Sequence, residues 1–241
     1  MVRKFTLSLL VLIVFQSGVA QKKDNPLRDI DIIKVNMHYD WANFAKYDKQ
    51  NQEVDIDNNE GRVVFMGNSI TEGWVGNMPD MFDNQTYINR GISGQTTPQM
   101  LVRFRSDVIN LKPKLVVILA GTNDIAGNTL LKDLETVAGH LFSMAELAME
   151  NNIKVILCSV LPAAVYPWRP EKKPDIEIPR LNNMIENYAR QQGIYYLDYF
   201  SAMTDGKNGL KKNYGYDGVH PNKEGYELMR KMIEKAIKKV L

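Results

Sequence analysis

Cysteine is almost absent from this sequence: Cys158 stands alone among 241 residues. One thiol cannot close an internal disulfide, so the fold has to be held by its core. Histidine is nearly as scarce, with His38, His140 and His220 the full set and no two of them at ligand spacing. A zinc hydrolase built on His and Cys ligands is thereby disfavoured, and neither a metal nor a cofactor is expected. An excess of one charge is missing too, with 30 Lys and Arg against 28 Asp and Glu. Near-neutrality argues against nucleic acid or an anionic membrane as the main partner, because both are bound chiefly through clustered Lys and Arg. The apolar run over residues 5–15 is about eleven residues long, well short of the roughly 20 that a spanning helix needs.

That run fits a different role. Arg3 and Lys4 precede it and the small residues Gly18, Val19 and Ala20 follow it, which is the order of an export signal cleaved near Ala20. The expected location is therefore periplasmic or extracellular, without a stable membrane anchor. Cys158 lies far from the cleavage site, so no cysteine is available there for lipid attachment. Without residues 1–20 the charge balance goes from 30 against 28 to 28 against 28. About 220 remaining residues, from a chain that is 44% apolar, suffice for one well-packed domain.

Apolar runs rich in β-branched residues predict buried strands at 62–67, 115–120, 154–160 and 194–197, with a weaker one at 86–89. Helical spacing fills the intervals at 99–110, 129–151, 175–192 and 223–240. Strands alternating with helices imply parallel pairing and right-handed crossovers, hence a three-layer α/β/α sandwich around a parallel sheet of about five strands. Residues 21–241 read as a single domain with a helical extension at about 36–53, where Trp41, Phe44 and Tyr47 at three-residue steps predict an aromatic stripe packed on the domain. Two loops, 162–174 and 205–218, combine aromatics with lysines or glycines and are candidate rims of a site.

Four short segments carry chemistry. Gly67-Asn68-Ser69-Ile70-Thr71 puts a serine on the turn leaving a parallel strand, where open α/β sheets bind ligands. Its surroundings are not the Gly-x-Ser-x-Gly elbow of the α/β-hydrolases. Asp217-Gly218-Val219-His220-Pro221 spaces a carboxylate three residues before an imidazole across a glycine, close enough to fix the tautomer of a general base. A loop aspartate and a histidine before a terminal helix would look the same. Asn89-Arg90-Gly91-Ile92-Ser93-Gly94 and Gly121-Thr122-Asn123-Asp124 follow two further strands and could supply donors to an oxyanion. As isolated strings both are ordinary turn sequences.

In this chain order, from about Arg62 to Leu228, the four segments together resemble the four blocks of the SGNH (GDSL-like) hydrolase superfamily. The resemblance implies that family's flavodoxin-like sandwich and a Ser-His-Asp mechanism. It gives Ser69 as nucleophile, His220 as base and Asp217 as its orienting acid. The implied oxyanion donors are the N–H of Ser69, the N–H of Gly94 and the side chain of Asn123. One departure stands out: the family has Asp before the nucleophile and Asn68 stands there. A neutral amide keeps local hydrogen bonding and removes a charge, so the pH response rather than catalysis is where a difference is expected.

The function expected is a secreted serine esterase acting through an acyl-enzyme on short-chain esters, O-acetyl groups on carbohydrates foremost. Export and the aromatics Trp74, Tyr166 and Trp168 suit a sugar-facing rim. The alternatives are a lipid or lysophospholipid acyl hydrolase, and a non-catalytic glycan-binding protein on the same fold. The partner is then a small-molecule or glycan ester substrate and no nucleic acid. Nothing in the sequence marks a particular oligomeric state.

Overall fold

The computed structural model describes residues 39–83, 86–129 and 133–241. The export signal expected over residues 1–20 lies outside them. Five strands, β1 (Val63–Gly67), β2 (Tyr87–Gly91), β3 (Leu115–Leu119), β4 (Lys154–Cys158) and β5 (Tyr195–Leu197), form one sheet in the order β2-β1-β3-β4-β5 with every pair parallel. The described helices are α1 (Asp48–Gln52), α2 (Ser69–Glu72), α3 (Trp74–Asn77), α4 (Thr97–Asp107), α5 (Thr122–Ala126), α6 (Leu134–Glu150), α7 (Pro174–Gln192), α8 (Tyr199–Met203) and α9 (Lys223–Val240). They cover both faces of the sheet, giving the three-layer α/β/α sandwich that the alternation of strands and helices implies.

Pleating explains why the strands read as continuous apolar runs. On β1, Val64 and Met66 join a core with Met100 and Phe104 of α4, Leu141 and Met144 of α6, and Leu181 and Ile185 of α7. Val63 and Phe65 face the other way, against Trp74 of α3 and Met229 and Ile233 of α9. Each fully buried side chain of this kind contributes about 1.5–3 kcal/mol. The weak fifth strand is real: β2 is an edge strand whose Asn89 and Arg90 are buried through hydrogen bonds rather than apolar contact.

Helix ends follow local chemistry. Thr96 and Gln99 form a reciprocal capping box at α4, and the Asn222 side chain accepts the Gly225 N–H at 3.0 Å to start α9. Inside α7, Pro179 has no N–H to offer the Asp175 carbonyl four residues back. The Asn208 amide donates to that carbonyl at 2.9 Å, tying the 205–218 loop to the helix.

The segment before β1 departs from the expected single helix. The Asp40 carboxylate accepts the N–H groups of Phe44 and Ala45 at 2.8 and 2.9 Å, which starts a 3-10 turn at Phe44–Lys46, and Tyr47 at φ −115° breaks it from α1. The three aromatics therefore share no face: Trp41 and Phe44 are exposed and only Tyr47 is buried.

The register decides where the site lies. Gly67 pairs with Gly91 on one side and with Leu119 on the other, so the carboxyl ends of β1, β2 and β3 finish level. The chain leaves β1 toward β2 on one side and leaves the adjacent β3 toward β4 on the other, the kind of switch point that opens a crevice. A Cβ on Gly91 would sit 2.2 Å from the Glu72 nitrogen, 2.7 Å from the Thr71 carbonyl carbon and 2.8 Å from the Asn68 oxygen, all of them backbone atoms. Gly91→Ala is therefore expected to destabilise the fold by about 2–3 kcal/mol in chemical denaturation. Gly76→Ala, where a Cβ meets nothing within 4 Å, should be neutral or slightly stabilising. Equal effects of the two substitutions would contradict this account of the turn's packing.

Candidate active site

Ser69 is the first residue of α2, and the turn before it is set by Asn68, whose Oδ1 accepts the Ile70 N–H at 3.0 Å. Thus Asn68 performs the cap with a neutral side chain. Ser69 Oγ lies 3.0 Å from His220 Nε2, and His220 Nδ1 lies 2.7 Å from Asp217 Oδ2. The other carboxylate oxygen of Asp217 accepts the N–H groups of Val219 at 2.9 Å and His220 at 2.7 Å. Gly218, at φ +83°, supplies the left-handed step that lets one carboxylate hold both the turn and the ring. Burial alone would raise the Asp217 carboxyl, but the His220 N–H, the His220 ring and the Val219 N–H outweigh it and hold it below its ordinary value. An ionised Asp217 can only accept, which places the imidazole proton on Nδ1 and leaves Nε2 as acceptor for the Ser69 hydroxyl.

Gly94 and Asn123 open onto the same cavity as Ser69 and His220, a space of about 530 Å³. Gly94 stands at φ +78°, with no side chain to close the approach. Asn123 Nδ2 donates one hydrogen to the Gln95 carbonyl at 2.9 Å, leaving its second hydrogen for a ligand. The Asn128 amide donates to the Gly94 carbonyl at 3.0 Å, and the Asn128 N–H to the Asn123 carbonyl at 3.0 Å, so the two donor loops brace one another. Among the described residues no group of three or more His, Cys, Asp or Glu could hold a metal, and no helix is long and apolar enough to cross a membrane.

The expected aromatic rim is corrected in two of three places. Trp168, 42% exposed, stands beside the His220 ring at 6.0 Å and lines the cavity. Trp74 is only 2% exposed, because α3 turns it into the core between Phe65 and Tyr226. Tyr166 is fully buried: its hydroxyl pairs with Thr122 Oγ1 at 2.8 Å and its ring underlies Trp168 at 5.5 Å, so it supports the rim rather than forming it. Tyr216 takes their place, 72% exposed and stacked on His220 at 5.8 Å and 13°. Its signal was the tyrosine content of the 205–218 loop and its place next to Asp217. Glu72, Asn77, Ser93 and Asn128 also line the cavity, and no isolated sequence pattern distinguishes them.

Comparison with known proteins adds four findings. A family profile described as GDSL-like Lipase/Acylhydrolase matches residues 65–228. A crystal structure of a GDSL-like lipase from Bacteroides thetaiotaomicron superposes with a TM-score of 0.80 at 50% identity, covering 83% of this chain and 99% of that one. The acetylxylan esterase of Xylanibacter ruminicola is 28% identical over 213 residues, 73% of this chain and 43% of that protein, so the chain spans less than half of that relative. The human platelet-activating factor acetylhydrolase IB subunit alpha2 is 23% identical over 197 residues, 78% of this chain and 81% of that protein.

Beside Asn123 stands a second carboxylate with a different task. Asp124 accepts the Thr97 N–H at 3.0 and 3.1 Å and the Thr97 hydroxyl at 2.7 Å, and that hydroxyl also contacts His140 Nδ1 at 3.0 Å. Burial pushes Asp124 up from 3.8 to about 6, against the lowering effect of the Thr97 bonds. The folded protein then binds this proton more tightly than the unfolded chain, so Asp124 adds stability as pH falls from neutral through about 6, levelling off below 3.8. Relative to Asp124→Asn, the wild type should gain about 1 kcal/mol of unfolding free energy between pH 7 and pH 5. Parallel stability curves for the two proteins over that window would show that Asp124 titrates normally.

Proposed function

The chain belongs to the GDSL-like lipase/acylhydrolase family, within the SGNH superfamily of carboxylic ester hydrolases, and we propose that it removes short acyl groups, acetyl foremost, from carbohydrate esters. The observation that carries this reading is the unbroken hydrogen-bonded chain Ser69–His220–Asp217 at the mouth of a cavity that also contains Gly94 and Asn123.

In this mechanism His220 Nε2 takes the Ser69 proton as Oγ attacks the ester carbonyl. A positioned base of this kind contributes about 10²–10⁴-fold in rate. The carbonyl oxygen becomes negative and is met by the N–H of Ser69, the N–H of Gly94 and the free hydrogen of Asn123 Nδ2, each such donor being worth on the order of 10²–10³ in turnover. Collapse expels the alcohol, which takes its proton from His220. Water, activated by the same imidazole, then releases the acid from the acyl-enzyme. Asp217 stays ionised throughout and keeps the ring in the required tautomer.

For the substrate, the cavity walls speak for a polar alcohol. Asn77, Asn128 and Glu72 line it beside the exposed rings of Trp168 and Tyr216, an arrangement suited to a flat apolar sugar face with hydroxyls around it. The names of two curated relatives, an acetylxylan esterase and a platelet-activating factor acetylhydrolase, carry an acetyl group while differing in the remainder. That second name supports a lipid alternative. The basic start, apolar run and small residues ending at Ala20 support export to where glycan polymers are met.

Chain length separates the two substrates, because each added methylene gains about 0.8 kcal/mol only where a groove buries it. Catalytic efficiency on nitrophenyl esters should peak at acetyl or propionyl, and acetylated oligosaccharides should be turned over. Ser69→Ala should lower turnover on all of these by several orders of magnitude. A maximum at octanoyl or longer would transfer the assignment to a lipid, and near-normal turnover by Ser69→Ala would remove the mechanism.

A further inference from the structure

Gly94 sits in a loop whose neighbours on both sides are held by a distant part of the chain. Ser93 donates its N–H at 2.7 Å, and its hydroxyl as well, to Glu72 Oε2, while Glu72 Oε1 takes the ammonium of Lys46. On the other side the Gln95 amide donates to the Ala42 carbonyl at 2.7 Å. The Tyr47 hydroxyl donates to the Gly91 carbonyl at the end of β2, and its ring lies under the Arg90 guanidinium at 4.7 Å. Burial pushes the Tyr47 hydroxyl up to about 12, so it remains a donor across the working pH range. Asn51 completes the brace, accepting from Arg90 Nε at 2.8 Å and donating to Asp107 Oδ1 at 2.7 Å.

Trp41 and Phe44 remain exposed, while the Ala42 carbonyl, the Tyr47 hydroxyl and, through Glu72, Lys46 hold Gln95, Gly91 and Ser93 around Gly94. Glu72 gives the arrangement an electrostatic side. It opens onto the same cavity as Ser69, where an uncompensated carboxylate opposes a developing oxyanion. Lys46 both neutralises that charge and fixes the oxygen that receives Ser93.

We infer that residues 41–51 are a positioning element for the oxyanion loop, with Lys46 (through Glu72 and Ser93) and Tyr47 (through Gly91) holding the Gly94 N–H on target. The inference rests on the role of Gly94 in the proposed reaction. A donor displaced by a fraction of an ångström loses transition-state contact while the ground-state complex is little affected. The expected signature is therefore a loss in kcat with KM retained.

The test uses the full chain and an activated acetyl ester. Lys46→Met and Tyr47→Phe should each lower kcat on the order of tenfold with KM within about twofold and little change in Tm. Lys46→Arg should restore most of the loss, and Lys49→Met, on the same segment but exposed and paired only with Glu53, should leave kcat unchanged. Wild-type kcat in both Lys46→Met and Tyr47→Phe would overturn the inference, as would a loss in Lys46→Met that Lys46→Arg fails to restore or one shared by Lys49→Met. A wild-type protein that does not hydrolyse the ester would instead count against the proposed function.

Discussion

The turn that carries Ser69 can lie where it does only because backbone packs directly on backbone at the carboxyl ends of β1 and β2. Gly67 and Gly91 are paired in register, and at each of them a Cβ would overlap main-chain or Thr71 atoms of the following turn. This close approach brings Asn68-Ser69, Ile92–Gly94 and Ala120–Asn123 side by side, where hydrogen bonds between the loops can brace them. It also buries main-chain carbonyls that need partners. Arg103, wholly buried, meets that need: it donates to the Gly67 and Arg90 carbonyls at 3.3 and 2.8 Å, to Gln95 Oε1 at 2.6 Å and to Asp107 at 2.7 Å. Burying a guanidinium costs less when each of its nitrogens is hydrogen-bonded and a carboxylate is at hand, and for Arg103 the partners include the strand ends that frame the site.

Above this rigid floor the reacting groups are treated differently. Asp217 and His220 remain partly exposed, and their geometry is set by hydrogen bonds within a five-residue turn rather than by burial. Local bonding suits the proton exchange with substrate and water proposed for this pair, since deep burial would penalise an imidazolium formed there. Asp124, one residue from Asn123, has the opposite environment and a raised value near 6. Two carboxylates near one site thus hold unlike protonation behaviour because one gains N–H donors at the surface and the other loses solvent.

The sandwich was legible because its strands are buried on both faces and so read as unbroken apolar runs, as in 115–120. Only β2 was faint, and for a physical reason: Asn89 and Arg90 are satisfied by Thr71, Asn51 and backbone partners that no local pattern displays. The four chemical segments were legible because each sits immediately after a strand or before α9, where short-range spacing still means something. The rim was not. Trp74 and Tyr166 are aromatic and near the right segments, yet their orientation depends on which face α3 and the 162–174 loop present to the core. The brace over residues 41–51 was invisible for the same reason, since its bonds to Gly91, Gln95 and Asp107 span 44 to 56 positions.

The proposed covalent chemistry converges on one atom, Ser69 Oγ. The most direct measurement is intact-mass and peptide mapping of the protein quenched in acid during turnover of an activated acetyl ester, conditions under which an acyl-enzyme survives. The account predicts a mass increase of one acetyl group, confined to the peptide containing Ser69 and absent from Ser69→Ala. Turnover with no covalent adduct in any quench, or an adduct mapped to another side chain, would contradict it.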